Sequence, residues 1–315
     1  MNPLYLLLQI IVFVFLAPLV NGIIKKLKAF TQKRKGAPVM QMYFDLYKLL
    51  KKDMVISETS SWIFIATPYI VLSTALCGAI IVPITITVAP GNVPGDAILL
   101  IYLLALGKFF MTLSGLDTGS TFGGMGSSRE VMISSLLEPS LLVTVFSAGV
   151  IAKSTSLFQM MKTVTNNGGG LSNAIYIFLF LSIVVIILAE TSRIPVDDPA
   201  THLELTMVHE AMILEYSGKY LAMMELAASI KQLIFITLLV NLFIPSFVQT
   251  QGGSFLVAII ISLGIYVLKI ILASVLLAIV EISTVKLKLF SIPNLAALSF
   301  ILAFIGFIQY FVIKT

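Results

Sequence analysis

Apolar residues gather in eight runs, near 4–24, 62–88, 96–114, 131–152, 173–190, 219–246, 254–281 and 292–313. Each is long enough for a helix to cross the ~30 Å hydrocarbon core of a bilayer. Pro18, Pro68 and Pro83 fall inside or near the ends of these runs, where membrane helices tolerate proline because neighbouring helices re-satisfy the freed carbonyls. Between the first two runs the pattern changes. Tyr43, Phe44, Leu46, Tyr47, Leu49 and Leu50 are interleaved with Gln41, Asp45, Lys48, Lys51 and Lys52 at helical spacing. That spacing predicts an amphipathic helix along the inner membrane surface, either a lipid anchor or a docking floor for a partner. The expectation is an all-α integral membrane protein: one polytopic domain over 1–315, about eight transmembrane helices, a basic amphipathic cytoplasmic loop at 25–60 and an acidic cytoplasmic loop or helix at 191–218.

Composition agrees with the pattern. Hydrophobic residues make up 58% of the 315, charged residues only 11%, and the mean hydropathy is +1.05, well above a soluble domain's ~45–50% apolar share. The net charge of +5 reports orientation before it suggests nucleic acid. If the 25–60 loop is inside, the cytoplasmic side collects fourteen Lys and Arg against three on the other, which puts both termini on the outer face of the cell membrane. The N-terminal run Pro3–Val20 has no basic residue before it and several after it, the reverse of a cleaved signal peptide, and reads as a retained first span.

One cysteine and two histidines exclude several chemistries. Cys77 alone cannot form an internal disulfide or supply the thiolates of an iron–sulfur cluster, and it reads as a small core residue. His209-Glu210 is not completed to a zinc-protease motif. The glycine-rich stretch Gly115–Arg129 has no P-loop lysine, and Gly124-Met125-Gly126 lacks the third glycine of a dinucleotide fingerprint; a tight membrane-facing loop accounts for it. No cofactor or metal is expected on this chain. No internal repeat stands out, which weighs against a stand-alone ion transporter built from related halves.

The acids are concentrated. Seven of the 15, Glu190, Asp197, Asp198, Glu204, Glu210, Glu215 and Glu225, lie within 36 residues. If the segment after Pro199 is helical, Glu204 and Glu215 share one face about 16 Å apart. Interleaved Leu, Met, Ile and Tyr favour burial of that helix, where clustered carboxylates hold protons more tightly. Glu138, Glu225, Lys108, Lys231 and Lys269 fall inside spans, where an ionisable group costs ~2.5–3.5 kcal/mol and turns to the bundle interior. They are candidates for a buried ion path or for static ion pairs. Glu281, near a helix end, is expected to reach water.

Three stretches together resemble the family of complex I membrane subunit 1, and most closely its branch in energy-converting [NiFe] hydrogenases and formate hydrogenlyase. The first is Gln32-x-Arg34-x-Gly36-Ala37-Pro38 with Gln41, Asp45 and Lys48-Leu49-Leu50-Lys51-Lys52; the second is Gly126-Ser127-Ser128-Arg129-Glu130 leading to Leu137-Glu138-Pro139. The third is Glu190-Thr191-Ser192-Arg193-Ile194-Pro195-Val196-Asp197, His202-Leu203-Glu204-Leu205, His209-Glu210-Ala211-Met212 and Leu214-Glu215-Tyr216-Ser217-Gly218, its His-Glu-Ala-Met wording resembling the hydrogenase branch. The resemblance implies a membrane anchor without a redox centre of its own. It would link a hydrogenase large subunit holding nickel–iron and a small subunit holding iron–sulfur clusters to antiporter-like membrane subunits. It places Glu138, Glu190, Asp197, Glu204, Glu210, Glu215 and Glu225 along the start of an ion path. Arg34, Asp45, Lys48 and Arg193 would lie on the docking surface or stabilise carboxylates. A sulfur-reducing relative would share these features; the equivalent subunit of a quinone-reducing complex I is the alternative, from whose pattern the ten residues between Glu204 and Glu215 depart by about three.

Overall fold

The computed structural model describes residues 3–84, 95–166, 174–197, 207–245 and 255–314. Among these the chain is helical: α1 (Pro3–Thr31), α2 (Gln41–Lys51), α3 (Trp62–Ile81), α4 (Ala97–Asp117), α5 (Thr121–Ala152), α6 (Leu157–Asn166), α7 (Ala174–Glu190), α8 (His209–Ile213), α9 (Gly218–Phe243), α10 (Phe255–Ser283) and α11 (Ile292–Lys314). Seven are long and apolar enough to cross a membrane, and α7, at 17 residues, is a shorter apolar helix. Helices satisfy every backbone group internally, which is why runs this apolar fold as helices in lipid.

The bundle is built round α9. Its most hydrophobic window is 83% buried, against 33% for α10 and 22% for α11, so α9 is the central post and the last two spans form an outer edge. It packs on α1, α2, α3, α7 and α10, while α4 pairs with α3 and α5, and α11 lies between α5 and α7. Hydroxyls stitch the second group together: Thr144 and Ser182 share a hydrogen bond at 2.9 Å, and Ser182 Oγ donates to the Ser299 carbonyl at 2.8 Å. Such interhelical bonds serve where lipid supplies no hydrophobic drive between helices. Helix starts follow capping chemistry, with Ser61, Asp96 and Ser120 accepting from Ile63, Ile98 and Gly123 N–H.

Two expectations are corrected, and one short helix is added. The glycine-rich stretch is not a loop, since only residues 118–120 separate α4 from α5. At 32 residues, α5 runs about 48 Å and outreaches a ~30 Å hydrocarbon core; its glycine-rich first turns form the extension. There Gly126 is a notch, because a Cβ at that position would stand 2.9 Å from both Ala211 Cβ and the Val208 carbonyl oxygen, so only glycine lets α8 seat on α5. Cys77 is exposed rather than in the core; it lies on the outward stripe of α3 with Trp62, Ile65, Tyr69 and Ser73. The short helix α6 went unread, although Leu157, Phe158, Met160, Met161 and Val164, its buried face, recur at helical spacing.

Candidate functional site

The last residue of α7, Glu190, lies where four elements meet. Its Oε1 is 2.7 Å from Lys108 Nζ on α4 and its Oε2 is 3.0 Å from Lys231 Nζ on α9, while Lys108 Nζ also lies 3.7 Å from Glu130 Oε1 on α5. Lys108, Glu130 and Glu190 are buried. Glu138, two turns further along α5 and half-buried, acts on Lys108 through its charge. Lys108 is nine residues from the end of α4 and Glu130 nine from the start of α5, so both lie about 14 Å inside those helix ends. Two cations and two carboxylates make a formally neutral chain, Lys231–Glu190–Lys108–Glu130. Neutrality at that depth is what physics demands, since an unpaired charge out of water costs several kcal/mol.

A second cluster stands at the end of α10. Glu281 accepts from Arg193 at 2.7 Å and pairs with Lys28 at 2.9 Å, its side chain only 1% exposed. The same guanidinium donates to Asn21 Oδ1 and, at 2.6 Å, to Gln232 Oε1. Glu281 thus does not reach water: two cations from α1 and the segment after α7 close over it. Asp197 is buried as well, pairing with Lys286 at 3.0 Å and accepting from Val208 N–H at 3.0 Å.

Between α1, α2, α3, α4, α8 and α9 lies a cavity of about 640 Å³. One wall is apolar, from Val71, Ala75, Leu104 and Met111. Lys108, Glu190 and Lys231 line its far end; Lys231 is six residues beyond Glu225 on α9, about 9 Å deeper. The mouth holds Arg34, His209, Glu210 and Glu225. Burial pushes the Glu210 carboxyl above the usual carboxylate range; charge on His209 opposes this, the negative charges of Glu225 and Asp197 add to it, and Lys25 opposes it again. Beside α8, burial raises the Tyr216 phenol to about 12; its ring stacks on Phe64 at 4.0 Å, and its hydroxyl donates to the Phe64 carbonyl at 3.0 Å. Among the described residues no group of three or more His, Cys, Asp or Glu could hold a metal ion.

The structure therefore joins Glu190, Lys108 and Lys231, brings Glu210, Glu225 and Asp197 round the same cavity, and puts Arg34 and Arg193 on its lining. Lys269 is elsewhere, donating to the Ile244 and Pro245 carbonyls at 3.2 and 2.9 Å, past the other end of α9. Asp45 and Lys48 are exposed on α2, where Asp45 accepts from Gln41 at 2.9 Å. Glu204 lies outside the described residues. A helix carrying both Glu204 and Glu215 is overturned: α8 begins only at His209, because the Val208 N–H goes to the Asp197 carboxylate, and Glu215 is exposed in the turn that follows. Glu130, Lys28 and Lys286 were missed. Glu130 had a signal, standing eight residues before Glu138 on the same helix face, but it falls outside a span begun at residue 131.

The model of the NADH dehydrogenase family matches residues 4–312. The chain belongs to that family. Formate hydrogenlyase subunit 4 of Escherichia coli (strain K12) is 33% identical over 312 residues, covering 98% of this chain and 99% of that protein. Hydrogenase-4 component C of the same organism is 34% identical over 304 residues, covering 96% and 94%. The fold is similar to that of a chain in a solved structure of the membrane-bound sulfane sulfur reductase, an archaeal respiratory membrane complex. It matches with a TM-score of 0.85 at 19% identity, over 97% of this chain and 98% of that one.

Proposed function

We propose that this chain is the membrane anchor and coupling subunit of a multi-subunit energy-converting [NiFe] hydrogenase in the cell membrane. Both termini lie on the outer face, and the end bearing α2 and α8 meets the cytoplasmic electron-transfer arm. The observation that carries the reading is the cavity whose mouth holds Glu210, its carboxyl raised by burial, and whose far end is the neutral chain Lys231–Glu190–Lys108–Glu130. The near full-length likeness to formate hydrogenlyase subunit 4 and hydrogenase-4 component C supports it.

The coupling is electrostatic. Negative charge arriving in a partner seated over the mouth raises the proton affinity of Glu210, and the altered field reaches the ion chain through a low-dielectric cavity. Two unit charges 4 Å apart interact by about 4 kcal/mol at an effective dielectric of 20. Moving one charge against 100 mV costs ~2.3 kcal/mol, so rearranging one pair in the chain is commensurate with driving one ion. Hydrogen oxidation or evolution and its iron–sulfur relay belong to hydrogenase large and small subunits, and antiporter-like subunits carry the ion across. This chain itself carries no electrons.

Charge reversal at Arg34 and Lys48 tests the docking: the peripheral arm should leave the detergent-solubilised complex, and an arm that stays bound overturns this floor. Metal analysis of the purified complex should find nickel in its large subunit. A large subunit without nickel favours a sulfur-reducing relative. The cavity between α2 and α8 also supports a quinone-reducing reading, and inhibition of turnover by quinone-site ligands would select it.

A further inference from the structure

At the end of the bundle opposite α2 and α8, a second cavity of about 590 Å³ opens between α4, α5 and α11. Its walls are almost wholly apolar, with Tyr102, Phe146, Phe304 and Phe307 supplying aromatic faces, and Tyr102 and Phe146 more than half exposed. Beyond the Tyr102 hydroxyl, the polar side chains among the described lining residues are Lys153, Ser154 and Thr155, after the end of α5.

That end is built rather than frayed. Lys153 ends α5 in the left-handed region, at φ 53°, with its N–H turned back to α5 carbonyls. Ala97 N–H donates to the Thr155 carbonyl at 3.1 Å and Leu157 N–H to the Gly95 carbonyl at 2.7 Å, tying the starts of α4 and α6 together. Asp96, the neighbouring acid, is turned away to cap α4 through Ile98 N–H at 3.1 Å. Among the described lining residues Lys153 is the charged one and none is a carboxylate, so its ammonium has no competing anion there.

The dimensions name an occupant. From Leu142 to Lys153 the groove follows eleven residues of α5, about 16 Å. One leaflet of a ~30 Å hydrocarbon core is about 15 Å. An apolar slot one leaflet deep, open sideways to lipid and carrying one cation and two hydroxyls at interfacial level, matches an anionic phospholipid, its acyl chain along α5 and its phosphate at Lys153.

We propose that this groove is a specific site for an anionic glycerophospholipid at the interface between α4, α5 and α11. It stands apart from the coupling cavity and does not depend on the function proposed above. The test is native mass spectrometry of the intact complex, delipidated and titrated with phosphatidylglycerol or phosphatidylcholine. The wild-type complex should retain phosphatidylglycerol in preference by about fivefold, the worth of one lysine at an anionic surface. Lys153→Gln should abolish the preference while leaving some retention. Val143→Trp, which plugs the groove lower down, should abolish retention of both lipids. Equal retention of the two lipids by the wild type, an unchanged preference in Lys153→Gln, or full retention in Val143→Trp would each overturn the site. So would a structure of the complex with a partner helix seated in the groove.

Discussion

The two ends of the coupling cavity treat carboxylates in opposite ways. At the far end Glu190 has a lysine on each oxygen, at 2.7 and 3.0 Å, and cannot exchange its proton state without stranding two cations. At the mouth Glu210 and Glu225 have no salt bridge among the described residues, and burial raises the Glu210 carboxyl above its ordinary value. Glu190 is buried and paired, whereas Glu210 is half-buried with no salt bridge among the described residues, so burial and cation supply together fix the charge at one end and leave the other responsive. The mouth can respond to an approaching charge, and the far end can feel the response.

Removing the fixed charge should have the largest effect. Glu190→Gln leaves Lys108 and Lys231 in low dielectric with only Glu130 at 3.7 Å from Lys108, and breaking a buried pair from one side costs about 3–5 kcal/mol. The melting temperature of the purified complex should fall sharply and ion-linked turnover should be lost. Adding Lys231→Met, which removes a stranded cation, should restore part of the stability without restoring coupling. A Glu190→Gln complex that stays both stable and coupled would erase the distinction between the two ends.

Next in size is Glu281→Gln. It strands Lys28 and Arg193, but these side chains are 21% and 12% exposed and recover some hydration, so the cost should be nearer 2 kcal/mol. The consequence is positional, because a released Arg193 remains on the cavity lining and can turn toward Glu190 or Glu225. Thermal melts should show the loss, and Glu281→Asp, which keeps the charge, should rescue coupling better than Gln does.

Glu210→Gln should act in the opposite direction on stability. The folded state favours the neutral carboxyl, so its contribution is fully present below the ordinary carboxyl range and is lost as pH rises through the elevated folded value. Gln mimics the neutral form at every pH. The variant should therefore gain on the wild type as melts are taken from pH 4 to pH 9, by an amount within about 1 kcal/mol, while turnover loses one ionisation from its pH profile. A difference that shrinks with rising pH would mean that Glu210 is held charged.

These contrasts show what the residue order could and could not convey. The seven long apolar helices and the shorter α7 were legible because an apolar run is a local property and the bilayer leaves it no other structure. The concentration of acids after Glu190 was legible for the same reason. Pairing was not: Lys108 meets Glu190 across 82 residues, and Arg193 meets Glu281 across 88, so nothing local chose Glu190 over Glu215 as the buried member. Glycine and serine between 115 and 129 look like a loop when only flexibility is weighed. In the folded chain those small residues let α4, α5 and α8 approach closely, as Gly126 does beneath Ala211.

Glu215 is the sharpest test of that last distinction. Its likeness to a family motif placed it on the ion path, yet it stands exposed in the turn after α8, next to an exposed Leu214 and off the cavity lining. A solvated carboxylate with no buried partner contributes little to folding, so Glu215→Gln should move the melting temperature of the isolated chain by less than about 0.5 kcal/mol equivalent. Whatever it does to turnover must then come from contact with a partner seated over α2 and α8. The effect should appear only with the peripheral arm attached and should stay below that of Glu210→Gln. If Glu215→Gln alone stops ion-linked turnover as completely as Glu190→Gln does, proton uptake begins outside the cavity, and the mouth is not where the fixed and exchangeable carboxylates part company.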